Sequence, residues 1–299
     1  MRTSRGLTML AVPLLLAAVA CAPEDDASDE PAETSSAAES PTGDTSPADE
    51  CAKESLALQN AGQLTIGTDS PAFEPWFVDN DPANGKGYES AVAYAVAEQL
   101  GFSKDEVTWV KVPFNTSYAP GEKNFDFDIN QISITPARAK VVDFSDGYYS
   151  AAQAVIAPKK SDIAGASTLA ELKDVKLGAQ TGTTSLTAIR DVIQPSQDPL
   201  VFDDTNAAKQ ALNNDQVDAI VADLPTAFFI TAVEIPSATI VGQFQPTSGE
   251  QEEFGLLFEK GNPLVTCVNA ALGELKSSGG LDAIEQQWLA EAADAPVLD

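Results

Sequence analysis

The sequence predicts a two-lobed α/β fold, and three observations point to it. Short β-like runs alternate with helix-like stretches, and the alternation restarts past the middle of the chain. Two cysteines, Cys51 and Cys267, stand at the start and near the end of the globular part.

The chain opens Met1-Arg-Thr-Ser-Arg5, continues through an apolar stretch at 9–20 and reaches Cys21. Two positive charges, about a dozen apolar residues and small side chains before the cut make residues 1–20 a secretory signal peptide. The apolar part is too short to span a bilayer. Leu16-Ala-Ala-Val-Ala-Cys21 before a polar tail resembles a bacterial lipobox. On that reading Cys21 becomes the first residue and carries the acyl chains that hold the protein at a membrane; the alternative is an ordinary signal with a cysteine beside the cleavage point. Residues 21–50 hold 10 acidic side chains, no basic one and four prolines. They have nothing to offset ordering entropy, which makes them an acidic tether.

The body, 51–299, carries 35 acidic against 15 basic residues, and a net charge of −20 argues against a nucleic-acid partner. No later segment is apolar for long enough to cross a membrane. Removing Cys21 to lipidation leaves Cys51 and Cys267, which an oxidising compartment favours as a disulfide over two free thiols.

Leu64-Thr-Ile-Gly-Thr68 reads as a strand running into a turn-rich loop, followed by a helix over 88–100 that stops at Gly101. Strands follow at 107–112 and 127–132, the latter entering the loop Ser133-Ile-Thr-Pro-Ala-Arg138. This order points to a mainly parallel sheet with helices on both faces. The pattern restarts with strands at 155–157, 176–180 and 217–222, interleaved with helices at 185–192 and 207–212. Further extended segments at 241–244 and 253–258 precede two closing helices at 264–276 and 281–290. With the disulfide tying the last helices to the first unit, 51–155 plus 243–299 form lobe 1 and 156–242 form an inserted lobe 2. Two chain crossings make a hinge, and a hinge between α/β lobes leaves a cleft.

In such sheets ligands sit beyond the carboxyl ends of the strands, where Arg138, Thr184 and Asp223 fall. One cation and one anion on opposite lobes, beside the hydroxyls of Thr181-Gly-Thr-Thr184, suit a zwitterion: a guanidinium fork for its carboxylate and an aspartate for its ammonium. Taken singly, each residue is equally a solvated charge or a helix cap. The chain has no histidine, which removes Ser/His/Asp and Cys/His nucleophile systems and histidine metal sites. Asp79-Asn-Asp81 does not continue as an EF-hand loop. No metal or cofactor is expected.

Ile134-Thr-Pro-Ala-Arg138-Ala-Lys-Val-Val-Asp143-Phe-Ser-Asp-Gly-Tyr-Tyr149 resembles the most specific segment of the polar amino-acid-binding proteins, family 3 of the bacterial solute-binding proteins. Gly67-Thr68-Asp69 with Phe73 and Pro75-Trp76, Gly178-Ala-Gln-Thr-Gly-Thr-Thr184, Val217-Asp-Ala-Ile-Val-Ala-Asp223 and Gly255-Leu-Leu-Phe-Glu-Lys-Gly-Asn-Pro-Leu264 are similar to further segments of that family, in order, so the resemblance covers about 60–290. It implies a venus-flytrap cycle in a two-lobed α/β periplasmic-binding-protein-like fold of type II, with two hinge crossings. Carried over by position, Arg138 and Thr184 would hold the ligand α-carboxylate, with Thr181 and Thr183 in the same turn. Asp223, Ser133 and the backbone at Gln131 would hold the ammonium, and Phe73 would form an apolar wall. Asp69, Glu74 and Trp76 would face the side-chain pocket, the first two hinting at a cationic or amide ligand. The implied function is capture of a free amino acid, outside the cytoplasm and at the membrane through Cys21, by a monomer that delivers it to an ABC permease and its ATPase. A receptor-linked sensor and, further off, a dehydratase are the alternatives on the same fold; no catalysis is expected. The family's acidic pair after Gly-Phe is replaced here by Gly87-Tyr-Glu-Ser90.

Overall fold

The computed structural model describes residues 50–245, 251–289 and 295–299. The expected signal peptide, Cys21 and the tether up to residue 49 lie outside the described residues. The described residues all fall in one compact unit.

Lobe 1 starts with β1 (Leu64–Thr68), α1 (Tyr88–Gln99), β2 (Val107–Lys111), the single-turn α2 (Phe114–Ser117) and β3 (Phe127–Asp128), and β2 and β3 both run parallel to β1. After β4 (Asp143–Phe144) the chain crosses on β5 (Tyr149–Ala151). Lobe 2 contains β6 (Gln153–Pro158), β7 (Leu177–Gln180), α3 (Thr184–Ala188), β8 (Leu200–Phe202), α4 (Thr205–Asn213), β9 (Ala219–Asp223), α5 (Leu224–Phe229) and β10 (Ala238–Phe244). The chain returns on β11 (Glu252–Phe254), adds β12 (Leu257–Phe258) to the first sheet and closes with α6 (Leu264–Ser277) and α7 (Gly280–Leu289). The two crossings lie side by side, because β5 and β11 pair antiparallel with Glu252 opposite Ala151 and Phe254 opposite Tyr149.

The sheets are β2-β1-β3-β12-β4 and β10-β6-β9-β7-β8. In each sheet four of the five strands run the same way, in line with the mainly parallel sheet expected from sequence. One strand in each, β12 in lobe 1 and β6 in lobe 2, runs against both of its neighbours. The cause is topological: β6 and β12 each receive the chain straight from a crossing, so they enter their sheets from the end opposite to the other strands. Side-chain alternation covers both faces of each sheet. In β6, Val155 and Ala157 join one core of lobe 2 while Ala154 and Ile156 join the other. In lobe 1, Ile66 and Phe127 face α1, α6 and α7, whereas Val112, Phe125 and Leu257 pack on the opposite side with Phe114.

The pairing registers place the lobe changes at 151–153 and 244–252, a few residues from the 155/156 and 242/243 expected from sequence. The last residues also differ from their expected place in lobe 1. Val297 bridges Gln243 in parallel, Leu298 N–H donates to the Gln243 carbonyl at 2.9 Å, and Leu298 is buried in a core of lobe 2. Gly242 makes room for this docking, since a Cβ there would stand 2.6 Å from Leu298 Cγ. Among the described residues no helix is long and apolar enough to cross a membrane.

Cys51 and Cys267 are joined, with a sequence separation of 216. Closing so long a loop limits the unfolded chain, although measured gains fall short of the chain-entropy value for long loops. Replacing both cysteines by serine is expected to lower stability by about 2 kcal/mol, read as a lower denaturation midpoint with an unchanged ligand affinity.

Candidate functional site

The carboxyl ends of β1, β3, β7 and β9 converge on one cleft between the lobes. Its lobe 1 wall includes Asp69, Phe73, Phe114, Asn130, Gln131 and Ser133, and its lobe 2 wall includes Gln180, Thr183, Thr184, Ser185, Asp223 and Thr226. It continues outward past Asp69 and Phe114 to Asp203 and Asp204. Each wall is held by a side chain that accepts an N–H at a helix start. Asp69 Oδ2 accepts the Phe114 N–H that opens α2, at 3.0 Å, and Thr183 Oγ1 accepts the Leu186 N–H as the N-cap of α3, at 3.1 Å.

Several contacts bridge the lobes. Arg138 Nη1 donates to the Ser133 carbonyl and Nη2 to the Gly182 carbonyl across the cleft, both at 2.8 Å. The guanidinium lies over the rings of Tyr118 at 4.6 Å and Phe114 at 5.5 Å. Ser133 and Thr184 hydroxyls share a hydrogen bond at 3.2 Å, and Trp76 Nε1 donates to Thr226 Oγ1 at 2.8 Å. The structure is therefore a closed form.

The charges in the cleft are poorly compensated. Arg138 is 8 % exposed, and among the described residues it makes no ion pair within 4 Å; burial depresses its pKa. Asp223, at the end of β9, accepts one hydrogen bond, from Gln153 Nε2 at 2.6 Å. Part of its surface remains open, but it opens into the cleft. Desolvation, and then the charge of Glu252, push its carboxyl well above the usual range. Glu252 is buried in β11, accepts from Ser133 Oγ, and takes a second hydrogen bond from Gln153 Nε2 at 2.9 Å. Gln153 Oε1 in turn accepts from Ser185 Oγ at 2.6 Å. One network thus runs from lobe 1 through the hinge to both sides of the lobe 2 wall.

Of the residues expected from sequence, Asp69, Phe73, Gln131, Ser133, Thr183, Thr184 and Asp223 line the cleft, and Glu74, Trp76, Arg138 and Thr181 do not. Trp76 is fully buried against Tyr88, Tyr149 and Phe254, because the loop after β1 folds back on the lobe 1 core. Glu74 turns toward the Asp79 N–H, at 3.4 Å. Thr181 is tied by its backbone to Phe202. Arg138 sits behind the wall because its fork is engaged by the two carbonyls. Among the described residues, no group of three or more His, Cys, Asp or Glu is placed to hold a metal ion.

Residues 64–291 match the family of bacterial extracellular solute-binding proteins, family 3. The chain belongs to that family. This solute-binding protein is 27% identical to the L-cystine-binding protein TcyJ of Escherichia coli (strain K12) over 77% of its own length and 84% of the relative's. It is 30% identical to the ABC transporter glutamine-binding protein GlnH of Bacillus subtilis (strain 168), over 71% and 76%. Among solved structures, an ancestral arginine-binding protein bound to arginine superposes with a TM-score of 0.64 at 32% identity, covering 76% of this chain and 98% of the other. Family and fold are those of binding proteins rather than enzymes.

The sequence reading of this solute-binding protein missed Glu252, Gln153, Glu89 and Asn130. Gln153 left a signal, a lone amide inside the apolar run 151–157. Glu252 left none, since its role depends on the pairing of two strands a hundred residues apart. Glu89 stands in the first turn of α1 with no exposure, and its carboxylate accepts the Gln131 N–H at 2.6 Å, the Gln131 side-chain amide and the Tyr148 hydroxyl.

Proposed function

We propose that this protein captures a free polar amino acid outside the cytoplasm and delivers it to an ABC permease. The observation that carries the reading is a pair of charges without an ion pair among the described residues, buried Arg138 in lobe 1 and half-buried Asp223 in lobe 2, flanking one interlobe cleft. A ligand α-carboxylate would replace the neutral Gly182 carbonyl on the Arg138 fork, because a charged acceptor makes the stronger bond. Thr184 and Ser133 stand beside that position, and the ammonium would meet Asp223. Phe73 supplies the apolar wall; Lys209 Nζ lies 5.4 Å from the centre of its ring and is itself paired with Glu234. Relatives named as binding cystine, glutamine, histidine and arginine support this ligand class. Closure then follows differential binding, since only the closed lobes bring the two charges to one ligand. Anchoring through Cys21 and docking of the closed monomer on a permease with its ATPase belong to the same proposal.

The test is isothermal titration of the chain from residue 21, carrying Cys21→Ser and freed of carried-over ligand, against the twenty amino acids. One-to-one binding to one or a few of them is expected, weakened at least 100-fold by Arg138→Ala, the loss of about 3 kcal/mol of charge-assisted bonding. Silence across the panel from folded protein would sink the assignment.

A further inference from the structure

We infer that Glu89 is a positioning residue that selects the ligand side chain by turning the Gln131 amide so that its carbonyl oxygen is offered to the cleft. This inference rests on the amino-acid reading and names the side-chain class within it: groups that donate N–H, namely amide, guanidinium or ammonium, and not a carboxylate.

The argument begins with what each end of an amide can do. A primary amide has a donor end and an acceptor end of nearly the same shape, so its orientation is decided by its neighbours. Gln131 lines the cleft and its Nε2 donates to Glu89. Glu89 also receives the Gln131 backbone N–H and the Tyr148 hydroxyl, so three donors converge on one carboxylate. A carboxylate only accepts, so the donor end of Gln131 is committed to it. Oε1 is left as the open end, and no donor among the described residues meets it.

The backbone at Gln131 supports the same role. Its φ is 47°, a left-handed conformation uncommon for a residue with a side chain. The Glu89 bond to the Gln131 N–H holds that conformation, so one buried carboxylate sets both the main chain and the side chain of a cleft residue. The neighbouring Asn130 is different. It is 6 % exposed and lines the cleft, but among the described residues its Nδ2 has no partner. Nothing fixes which end it presents, so it can adapt to a ligand; Gln131 cannot. Asp69 adds a carboxylate to the same wall, and Asp128 is buried in lobe 1 with no hydrogen-bond partner for its carboxyl among the described residues. A carboxylate side chain would meet a carbonyl lone pair in a wall that already carries acids, and that is how such a site rejects it.

The experiment compares dissociation constants for glutamine, arginine and glutamate in the wild-type chain and in Glu89→Gln, by titration calorimetry. Glu89→Gln is close in shape but can accept or donate, so the orientation of Gln131 is released. The wild type is expected to hold glutamine or arginine at least 100-fold more tightly than glutamate, and Glu89→Gln to shrink that ratio at least tenfold. General destabilisation would weaken all three ligands together and leave the ratio unmoved. Gln131→Gly, which accepts the left-handed backbone without strain, removes the amide while keeping the chain path and is expected to shrink the ratio likewise. It carries the test if Glu89→Gln does not fold. A wild type that prefers glutamate, or ratios within twofold of wild type in the folded variants, overturns this inference and leaves the amino-acid reading standing. A wild type that binds no amino acid overturns both.

Discussion

Asp223→Asn is expected to weaken ligand binding about 100-fold while making the ligand-free protein more stable. In the empty cleft Asp223 is a liability. Desolvation and the nearby Glu252 charge both oppose its ionisation, and the hydrogen bond from Gln153 and the more distant Arg138 charge offset them only in part. Asparagine keeps the shape and can still accept from Gln153 through its carbonyl, so the desolvation cost disappears and the network through Glu252 and Ser185 persists. A ligand ammonium, however, would then face an amide N–H₂ instead of a carboxylate. Removing one partner of a buried charge pair costs about 2–5 kcal/mol in binding, and about 3 kcal/mol corresponds to the hundredfold loss. In a body of this size each kcal/mol of added stability raises the melting temperature by about 2–4 °C. Calorimetric titration and a thermal melt on the same sample read both signs. Binding retained within threefold would remove Asp223 as the ammonium acceptor; a lowered melting temperature would mean that the carboxylate serves the empty fold.

How far the sequence reveals this site depends on whether a residue's role is local. Asp223 and Thr184 are legible because a strand end followed by a helix start puts a side chain at the cleft whatever the rest of the chain does. Arg138 is legible through the segment around it, but its engagement with Gly182 is not, since that bond exists only when the lobes meet. Trp76 shows the reverse failure. By its place in the loop after β1 it reads as facing the side-chain pocket, yet the loop folds onto Tyr88, Tyr149 and Phe254 and buries it. The left-handed backbone at Gln131 carries no sequence mark, because glutamine is not a residue that prefers it. Sheet direction was partly hidden for a similar reason. Alternating strands and helices point to parallel pairing, but the strands that cross the hinge obey lobe connectivity, not local pattern.

Ligand binding and stability are expected to respond to pH in opposite directions. Burial pushes the Glu89 carboxyl up to about 7, against the hydrogen bonds from Tyr148 and Gln131 that favour its ionised form. Asp128 and Asp223 are raised well above the usual range, also by burial first, and the Glu89 charge raises both further. Tyr88 and Tyr148 face the same group and stay protonated throughout. Between the ordinary glutamate value of 4.5 and about 7, the folded protein therefore holds a proton on Glu89 that the unfolded chain has lost. The folded state binds more protons in that window, so stability falls as pH rises through it. For Glu89 alone the change is about 3 kcal/mol, and Asp128 and Asp223 act with the same sign. The depressed carboxyls, Glu106, Asp143 and Glu171, work the other way, but they lose their contribution below the ordinary carboxylate values, outside this window. The ligand reverses the preference. In the proposed roles, Asp223 meets the ammonium and Glu89 orients Gln131 only when each is ionised, so a ligand is expected to expel protons on binding. Melting temperature without ligand should rise from pH 7 to pH 5 while affinity falls over the same range. Titrations at pH 6 in buffers of different ionisation enthalpy should register proton release. Uptake in place of release, or an affinity flat from pH 5 to 7, would mean that neither carboxyl takes part in holding the ligand.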